Sequence, residues 1–290
     1  MKPAAFKYLR PDSLEEVLAA LAEHGDEAKP LAGGQSLIPA MNFRLAQPSV
    51  LVDLELVSAL RTVAHFDGAL RVGAMVRQRE AERSPEVRVA CPLLSEALPW
   101  IGHVQNRNRG TIGGSIAHAD PAAELPAVAM ALDATLELAS TRGTRTVPAA
   151  TFFEGPFTTA VGPDEIVTGV RFPVAERSRA ACLELAPRHG DFAVVGVAAC
   201  VRFSPGGALV EDVGLAAFGV GAAPVRLPEA EAQVRGAELT AEVAEQAGAA
   251  STSDVEEPTT DIHATSAYRR RALIELVRRA LDGIAQSLQD

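Results

Sequence analysis

Two short loops with paired glycines are the strongest candidates for binding chemistry. The first loop consists of Ala32, Gly33, Gly34, Gln35 and Ser36, and the second consists of Thr111, Ile112, Gly113, Gly114 and Ser115. Adjacent glycines permit positive φ angles and leave no Cβ in the way, so successive backbone N–H groups can converge on an anion. Two such loops suit a ligand with two linked phosphates. We therefore predict a dinucleotide site.

Acidic and aromatic side chains near these loops could contact the rest of a dinucleotide. Asp120 is predicted to cap a helix that has Pro121 in its first position. Glu124 is the better candidate for hydrogen bonds to ribose hydroxyls. The turn that carries Asp191 and Phe192 could deliver both side chains to a flat aromatic ligand.

The histidines and cysteines do not form a recognisable metal-ligand pattern. His103 and His118 have no second histidine or cysteine at ligand spacing. Cys91, Cys182 and Cys200 are scattered, which predicts buried small side chains rather than ligands. We therefore expect no metal site and no iron–sulfur cluster in this chain.

Bulk properties limit the class of partner. With 290 residues the chain is long enough for two domains, and its formal charge of −10 disfavours nucleic acid and anionic membranes as partners. No apolar run reaches the ~18 residues that a membrane span requires, and the start of the sequence lacks the apolar core of a signal peptide. We expect a cytoplasmic protein without an integral membrane segment.

The pattern of elements predicts a mixed α and β protein. A capping box at Ser13 and Glu16 begins a helix that ends at Gly25. Strands are predicted at 50–54, 70–74, 135–139 and 165–173, and helical segments at 86–98 and 127–132. The first loop does not match G-x-G-x-x-G, and Pro39 disfavours a long helix after it, so a Rossmann fold is excluded.

A second unit is predicted after the polar segment 174–179. It begins with a hairpin of strands 192–203 and 209–220, joined by a glycine turn at 204–207. Helices are expected near 240–249 and over 266–288, with a loop at 254–258 between them. The arginines of the last helix are interpreted as a solvated face or a subunit contact: Arg269, Arg270, Arg271, Arg278 and Arg279.

Five segments together resemble one family. They are 32–39, 111–115, 120–126, 190–195 and 268–273, and they resemble the FAD-binding medium subunit of molybdenum hydroxylases over essentially the whole chain. The resemblance implies an α+β fold with a two-lobed, PCMH-type FAD-binding domain at 1–175, its lobes about 1–57 and 58–175. A smaller C-terminal domain, at 176–290, would contain a short antiparallel sheet and helices.

The resemblance also implies residue roles. The two glycine loops would hold the pyrophosphate and the adjoining ribityl and ribose groups of an extended FAD. Glu124 takes a position where the family usually has Asp, and Phe192, next to Asp191, would approach the isoalloxazine ring. The sequence departs from the family at Gln35, where His is frequent, and at Ser115, where Asn is frequent. Glu184 stands about where some members carry a Lys near the flavin.

The implied function is electron transfer within a complex. An iron–sulfur small subunit with [2Fe–2S] clusters would pass electrons to FAD, and a molybdopterin large subunit would oxidise the substrate. The resemblance implies that two such heterotrimers form a dimer. The substrate could be an N-heterocycle, a purine or carbon monoxide, and Gln35 is a faint hint against carbon monoxide. Two alternatives stay open: a non-enzymatic FAD-binding or assembly protein, and a stand-alone oxidase with covalent flavin. No catalytic side chain is expected, because the flavin supplies the redox chemistry.

Overall fold

A small parallel sheet forms the first lobe. The computed structural model describes residues 2–174, 176–207, 209–255 and 257–288. The central strand of this sheet pairs in parallel with both neighbours. The elements of the lobe are β1 (Lys7–Leu9), α1 (Leu14–His24), β2 (Ala28–Leu31), α2 (Leu37–Asn42) and β3 (Val50–Asp53). The sheet places the end of β2, and therefore the first glycine loop, at its carboxyl edge.

Helix α1 begins and ends as its sequence predicts, with one difference. The Ser13 hydroxyl accepts a hydrogen bond from the Glu16 N–H at 3.3 Å, and Gly25 closes the helix. The Glu16 carboxylate accepts from the N–H of Asp12 rather than of Ser13. The apolar face of the helix, which includes Val17 and Leu21, is buried in the core of this lobe. Amphipathic spacing therefore fixes the helix against the parallel sheet.

An antiparallel sheet of five strands, in the order β4-β5-β10-β6-β7, forms the second lobe. Its strands are β4 (Val63–Phe66), β5 (Ala69–Gly73), β6 (Thr135–Ser140), β7 (Gly143–Pro148) and β10 (Ile166–Pro173), with β8 (Phe153–Gly155) and β9 (Thr158–Thr159) as a separate ribbon. Its helices are α3 (Gln78–Arg83), α4 (Pro85–Ala90), α5 (Pro92–Ala97), α6 (Val104–Arg107), α7 (Ile112–His118) and α8 (Glu124–Ala131). The second glycine loop opens α7.

A four-stranded antiparallel sheet and three helices complete the chain. They are β11 (Ser178–Leu185), β12 (Val195–Phe203), β13 (Val210–Phe218), β14 (Val225–Arg226), α9 (Pro228–Val234), α10 (Ala241–Asp254) and α11 (Ser266–Gln286). One face of β12, with Val197 and Val201, packs with Leu273 and Val277 of α11. Successive side chains of a strand alternate between faces. The other face joins the core of the second lobe.

This shared core explains why β12 has almost no polar residues. Cys182, Ala198, Cys200 and Phe218 lie in one buried cluster with α5 and α8 of the second lobe. A strand that is buried on both faces has an almost continuous apolar sequence. The three cysteines are buried, as predicted. The last sheet is therefore held against the second lobe by apolar packing.

The predicted α+β fold is confirmed, and so are the strands that appear as β3, β5, β6 and β10. The hairpin is β12 and β13, and the last two predicted helices are α10, which extends to Asp254, and α11. The sequence patterns did not predict the remaining strands and helices, which are β1, β2, β4, β7, β8, β9, β11, β14, α2, α3, α6, α7 and α9. In the predicted loop at 254–258, Glu256 lies outside the described residues, and so does Ala175 in the predicted boundary segment.

The predicted solvated arginine face is wrong for Arg269. This side chain is only 3% exposed, whereas Arg278 and Arg279 pair with Glu275 on the surface of the helix. Among the described residues, no helix is both long enough and apolar enough to cross a bilayer.

Candidate functional site

The first glycine loop presents open backbone N–H groups. It links β2 to α2, and Gly34 has a φ of +73°, in the left-handed region that favours glycine. The carbonyl oxygen of Gly34 also accepts a hydrogen bond from the N–H of Ile38 at 3.2 Å, which links the loop to the start of α2. Within the described chain, the N–H groups of Gly33, Gly34, Gln35 and Ser36 donate to no protein acceptor. These four donors are therefore free to bind an anion.

Gly33 lies directly against the segment that leads into the second loop. A Cβ at Gly33 would be 2.3 Å from the carbonyl oxygen of Arg109 and 2.8 Å from the Cα of Gly110. Only glycine permits this approach. The carbonyl of Arg109 also accepts a hydrogen bond from the buried guanidinium of Arg77, whose other nitrogen pairs with Glu55. Arg77 therefore fixes the junction of the two loops.

The second glycine loop is the closed first turn of a helix. Thr111 caps α7, and its hydroxyl accepts the Gly114 N–H at 3.0 Å. The N–H of Ile112 donates to the carbonyl oxygen of Val76, and that of Gly113 donates to the carbonyl oxygen of Ala74. The N–H of Ser115 donates to the carbonyl oxygen of Thr111. The prediction that both loops form open nests is wrong for this one, because its amides bond within the protein. Cofactor contact by Thr111–Ser115 stays a prediction.

The glycines of the second loop serve packing. A Cβ at Gly113 would be 2.4 Å from the Cβ of Ala74, and one at Gly114 would be 2.7 Å from the Thr111 hydroxyl. At Gly114 the next nearest atom is the Cβ of Ala32, at 3.4 Å. Glycine here allows α7 to lie close to β5 and to the first loop.

A cleft of about 640 Å³ opens in front of the first loop. Its walls include Ala32 to Gln35, Arg10 and Arg109, together with two carboxylates that already have partners. Asp53 accepts a hydrogen bond from the Tyr8 hydroxyl, which raises the pKa of Tyr8, and Glu55 pairs with Arg61 and Arg77. Arg109 forms no ion pair with any residue that the structure describes. The cleft therefore combines open amides with a free positive charge.

The turn with Asp191 and Phe192 lies on the same side of the molecule as the first loop. Gly190, with a φ of +87°, packs so closely on His103 that a Cβ would lie 2.7 Å from the imidazole. The N–H of His103 donates to the side chain of Asn106, and that side chain donates in turn to Gln35 at 3.3 Å. A continuous series of contacts thus joins Gln35 to the turn.

Phe192 is exposed over 74% of its surface, although it is a large aromatic residue. The neighbouring carboxylate, Asp191, accepts a hydrogen bond from Arg188 at 3.3 Å within the turn. The ring is therefore available to an aromatic ligand or to a partner protein.

Two buried carboxyl groups lie at the amino end of α8 and in β11. Glu124 begins α8 and is 8% exposed, and burial with the nearby charge of Glu184 raises its pKa to about 8. Both carboxylate oxygens of Glu184 are buried, without a hydrogen-bond partner in the described structure, and burial raises its pKa to about 7. At neutral pH these carboxyl groups can carry protons and therefore donate hydrogen bonds.

Other predicted residues have structural roles. Asp120 does not cap α8, because its carboxylate accepts the N–H of Ala122 in a local turn and Ala123 precedes the helix. His118 lies 5.0 Å from the Phe157 ring, and burial lowers its pKa. No group of three or more metal-ligating side chains is found among the described residues.

Neither the role of Arg77 nor the pairing of Glu124 with Glu184 was predicted from the sequence. The Arg77 guanidinium donates hydrogen bonds to Arg109 and Glu55, which are far from it in the chain. No local sequence pattern indicates such contacts. The departure at Glu184 was visible in the sequence, but its electrostatic effect on Glu124 depends on the tertiary arrangement of β11 and α8.

Comparisons with known proteins agree over the whole chain. Residues 4–175 match the family described as "FAD binding domain in molybdopterin dehydrogenase", and residues 181–284 match "CO dehydrogenase flavoprotein C-terminal domain". The chain is 39% identical to the nicotine 6-hydroxylase medium subunit of Paenarthrobacter nicotinovorans, with 97% of this chain and 98% of the relative covered. It is 38% identical to subunit alpha of the 6-hydroxypseudooxynicotine dehydrogenase complex of the same organism, with 97% and 95% covered.

A solved structure shows the same fold. Carbon monoxide dehydrogenase from Hydrogenophaga pseudoflava, in a form that lacks the Mo-pyranopterin moiety of its molybdenum cofactor, superimposes with a TM-score of 0.94. The identity is 36%, and 99% of each chain is covered. Two matched domains, relatives of nearly equal length and this superposition lead to one conclusion: the chain belongs to the FAD-binding medium subunits of molybdenum hydroxylases, and is the FAD-binding component of an oxidoreductase.

Proposed function

We propose that FAD lies extended from the cleft of the first lobe to the Asp191–Phe192 turn. The observation that carries this placement is the first glycine loop, whose four open N–H groups lie beside the unpaired Arg109. Amides and a cation of this kind bind a pyrophosphate. The contacts from Gln35 to Gly190 support the same direction, because they join the phosphate end to the turn.

The remaining contacts follow from this placement. Ala32 to Ser36 would hold the pyrophosphate. The first turn of α7, Thr111 to Gly114, would support this loop from behind, and the Ser115 hydroxyl would donate a hydrogen bond to the cofactor. Glu124, protonated near neutral pH, would donate to or accept from a ribityl or ribose hydroxyl. Asp191 and Phe192 would border the isoalloxazine ring.

The cofactor supplies the redox chemistry, since FAD can accept electrons singly and release them in pairs. The protein would bind and orient it and exclude water from it. We propose that electrons arrive from [2Fe–2S] clusters of a small subunit and leave to an external acceptor. The substrate would be oxidised in a separate molybdopterin subunit, in a dimer of heterotrimers. The names of the relatives support an N-heterocycle or carbon monoxide as the substrate class.

We place the boundary between the FAD-binding and C-terminal domains at 175/176, and that between the two lobes at about 57/58. The change from the five-stranded to the four-stranded sheet supports the first boundary. A cytoplasmic location stays a prediction from the sequence.

A titration tests the placement of FAD. Apo chain should bind FAD, and ADP should compete with it because ADP shares the pyrophosphate and the adenosine. FMN, which lacks the pyrophosphate bridge, should bind far more weakly. Equal affinity for FMN and FAD would contradict a pyrophosphate site at the first loop.

Electron transfer needs the assembled complex. The chain co-expressed with its cluster-bearing and molybdopterin subunits should form one stable particle, in which substrate reduces the flavin. A chain that binds FAD but assembles with neither subunit would instead support the non-enzymatic alternative.

A further inference from the structure

Arg269 is buried in a position that is unfavourable for a positive charge. It lies in the first turn of α11 and is 3% exposed. The N-terminal end of a helix dipole disfavours a cation. Removal of a guanidinium from water costs on the order of several kcal/mol unless its charge is paired. An arginine at this position therefore requires strong compensating contacts.

The guanidinium joins three separate segments. One terminal nitrogen donates to the carbonyl oxygens of Val194 and Gly219, the latter at 2.6 Å, and the other donates to Asp261 at 2.6 Å. The carboxylate of Asp261 also accepts the N–H groups of His263 and Ala264, and these contacts lower its pKa to about 2. Asp261 is therefore charged at neutral pH, and holds Arg269 in place.

The hydrogen bond from Arg269 to the carbonyl oxygen of Val194 fixes the backbone where it leaves the Asp191–Phe192 turn. Val194 lies two residues after Phe192, and its N–H donates to Leu185 at 2.8 Å. Gly219, with a φ of +73°, packs on the same backbone, where a Cβ would be 2.6 Å from the Val194 oxygen. Arg269 and Gly219 thus hold the strand directly behind Phe192.

The same contacts reach the FAD-binding domain. The N–H of Gly219 donates to the carbonyl of Pro121 at 2.8 Å, and Pro121 lies in the segment that leads to Glu124. Arg269 therefore fixes the end of β13 between the two proposed cofactor contacts, Phe192 and Glu124.

We infer that Arg269 is a positioning residue, which sets the height and angle of Phe192 against the flavin through the carbonyl of Val194. The inference rests on the proposed placement of Phe192 beside the isoalloxazine ring. A buried arginine bonded to two carbonyl groups is suited to this role, because its planar guanidinium fixes several acceptors in one plane.

A double-mutant cycle on the full chain tests this inference. The variants are Arg269→Gln, Phe192→Ala and both together, with Arg271→Gln as the matched control, since Arg271 is exposed on the same helix. Two properties are measured for each: the Kd for FAD, by fluorescence titration of the apo chain, and the visible circular dichroism of the bound flavin. Thermal unfolding of each apo chain records the purely structural effect.

We expect each single variant to raise the Kd by about tenfold, or about 1.4 kcal/mol. If Arg269 acts through Phe192, the double variant should also show about tenfold, and Arg269→Gln should leave the dichroism unchanged in the Phe192→Ala background. If the double variant instead raises the Kd about a hundredfold, the two substitutions act independently. That result would overturn the positioning role of Arg269 but not the placement of Phe192. A Phe192→Ala variant with unchanged Kd and dichroism would overturn the placement of Phe192 and, with it, this inference.

Asp261→Asn provides the same test if Arg269→Gln does not fold. The amide retains an oxygen for the N–H groups of His263 and Ala264 but removes the charge that holds Arg269. We expect a smaller rise in Kd that also disappears in the Phe192→Ala background, and a rise that persists there would overturn the inference.

Discussion

Glu124 of α8 and Glu184 of β11 are two buried carboxyl groups whose pKa values burial raises, and the charge of Glu184 raises the pKa of Glu124 further. Their effect on folding has a definite sign. The ordinary pKa of both is 4.5, and the folded protein raises it to about 8 for Glu124 and about 7 for Glu184. The unfolded chain therefore releases these protons at lower pH than the folded chain does, so the free energy of unfolding should fall as the pH rises.

The first prediction concerns this pH dependence. Well below pH 4.5 Glu124 is protonated in both the folded and the unfolded chain, and Glu124→Gln should unfold at about the same urea concentration as the wild type. At pH 8 the variant should be more stable by on the order of 3 kcal/mol, because glutamine has no proton to lose. Glu184→Gln should act in the same direction. Urea unfolding of the apo chain at a series of pH values measures this, with exposed Glu154→Gln as control. Parallel curves for wild type and both variants would contradict the prediction.

The second prediction concerns the contact between the two loops. Gly33→Ala would place a methyl group 2.3 Å from the Arg109 oxygen, a backbone atom that Arg77 holds in place. We expect a loss of stability of about 2–4 kcal/mol and a large rise in the Kd for FAD. Gly155→Ala, with open space around its Cα, is the control and should change neither property by much. An equal effect of the two variants on FAD binding would refute the importance of the contact.

The third prediction separates charge from shape in the cleft. Arg109→Ala should raise the Kd for FAD by about tenfold at low salt and by less at 0.5 M salt, because ions screen an exposed charge. Stability should hardly change, since Arg109 has no ion-pair partner among the described residues. Exposed Arg83→Ala provides the comparison. A Kd for Arg109→Ala that matches the wild type at low salt would place the phosphates elsewhere.

The fourth prediction concerns the partner contact. A cluster must lie within tunnelling distance of the flavin, so we expect the small subunit near the Asp191–Phe192 turn. Asp191→Lys should slow flavin reduction in the reconstituted complex more than reversal of Glu257, which is exposed on the segment between α10 and α11. Rapid-mixing absorbance provides the rates, and similar rates for the two reversals would exclude this interface.

Local sequence determined the elements that depend on near neighbours. Ser13 and Gly25 define α1 because capping and termination involve residues within one turn. Alternating and continuous apolar runs predicted β3, β5, β10 and the β12–β13 hairpin, since a strand with one or two buried faces has that pattern. The family resemblance rested on short motifs, and the matched domains and relatives confirmed it.

Tertiary structure decided which of two similar glycine motifs presents open amides. Gly33–Gly34 and Gly113–Gly114 look alike in sequence, but only the first pair leaves its N–H groups without protein acceptors, because α7 packs on Ala74 and Val76. Arg269 likewise lies in a run of arginines that resembles a solvated face, and contacts with Val194, Gly219 and Asp261 bury it. The sequence by itself determined the family and many of the longer helices and strands, through interactions between near neighbours. The free amides, the Glu124–Glu184 pair and the role of Arg269 depend on contacts between distant segments, and only the packing of the sheets brings those segments together.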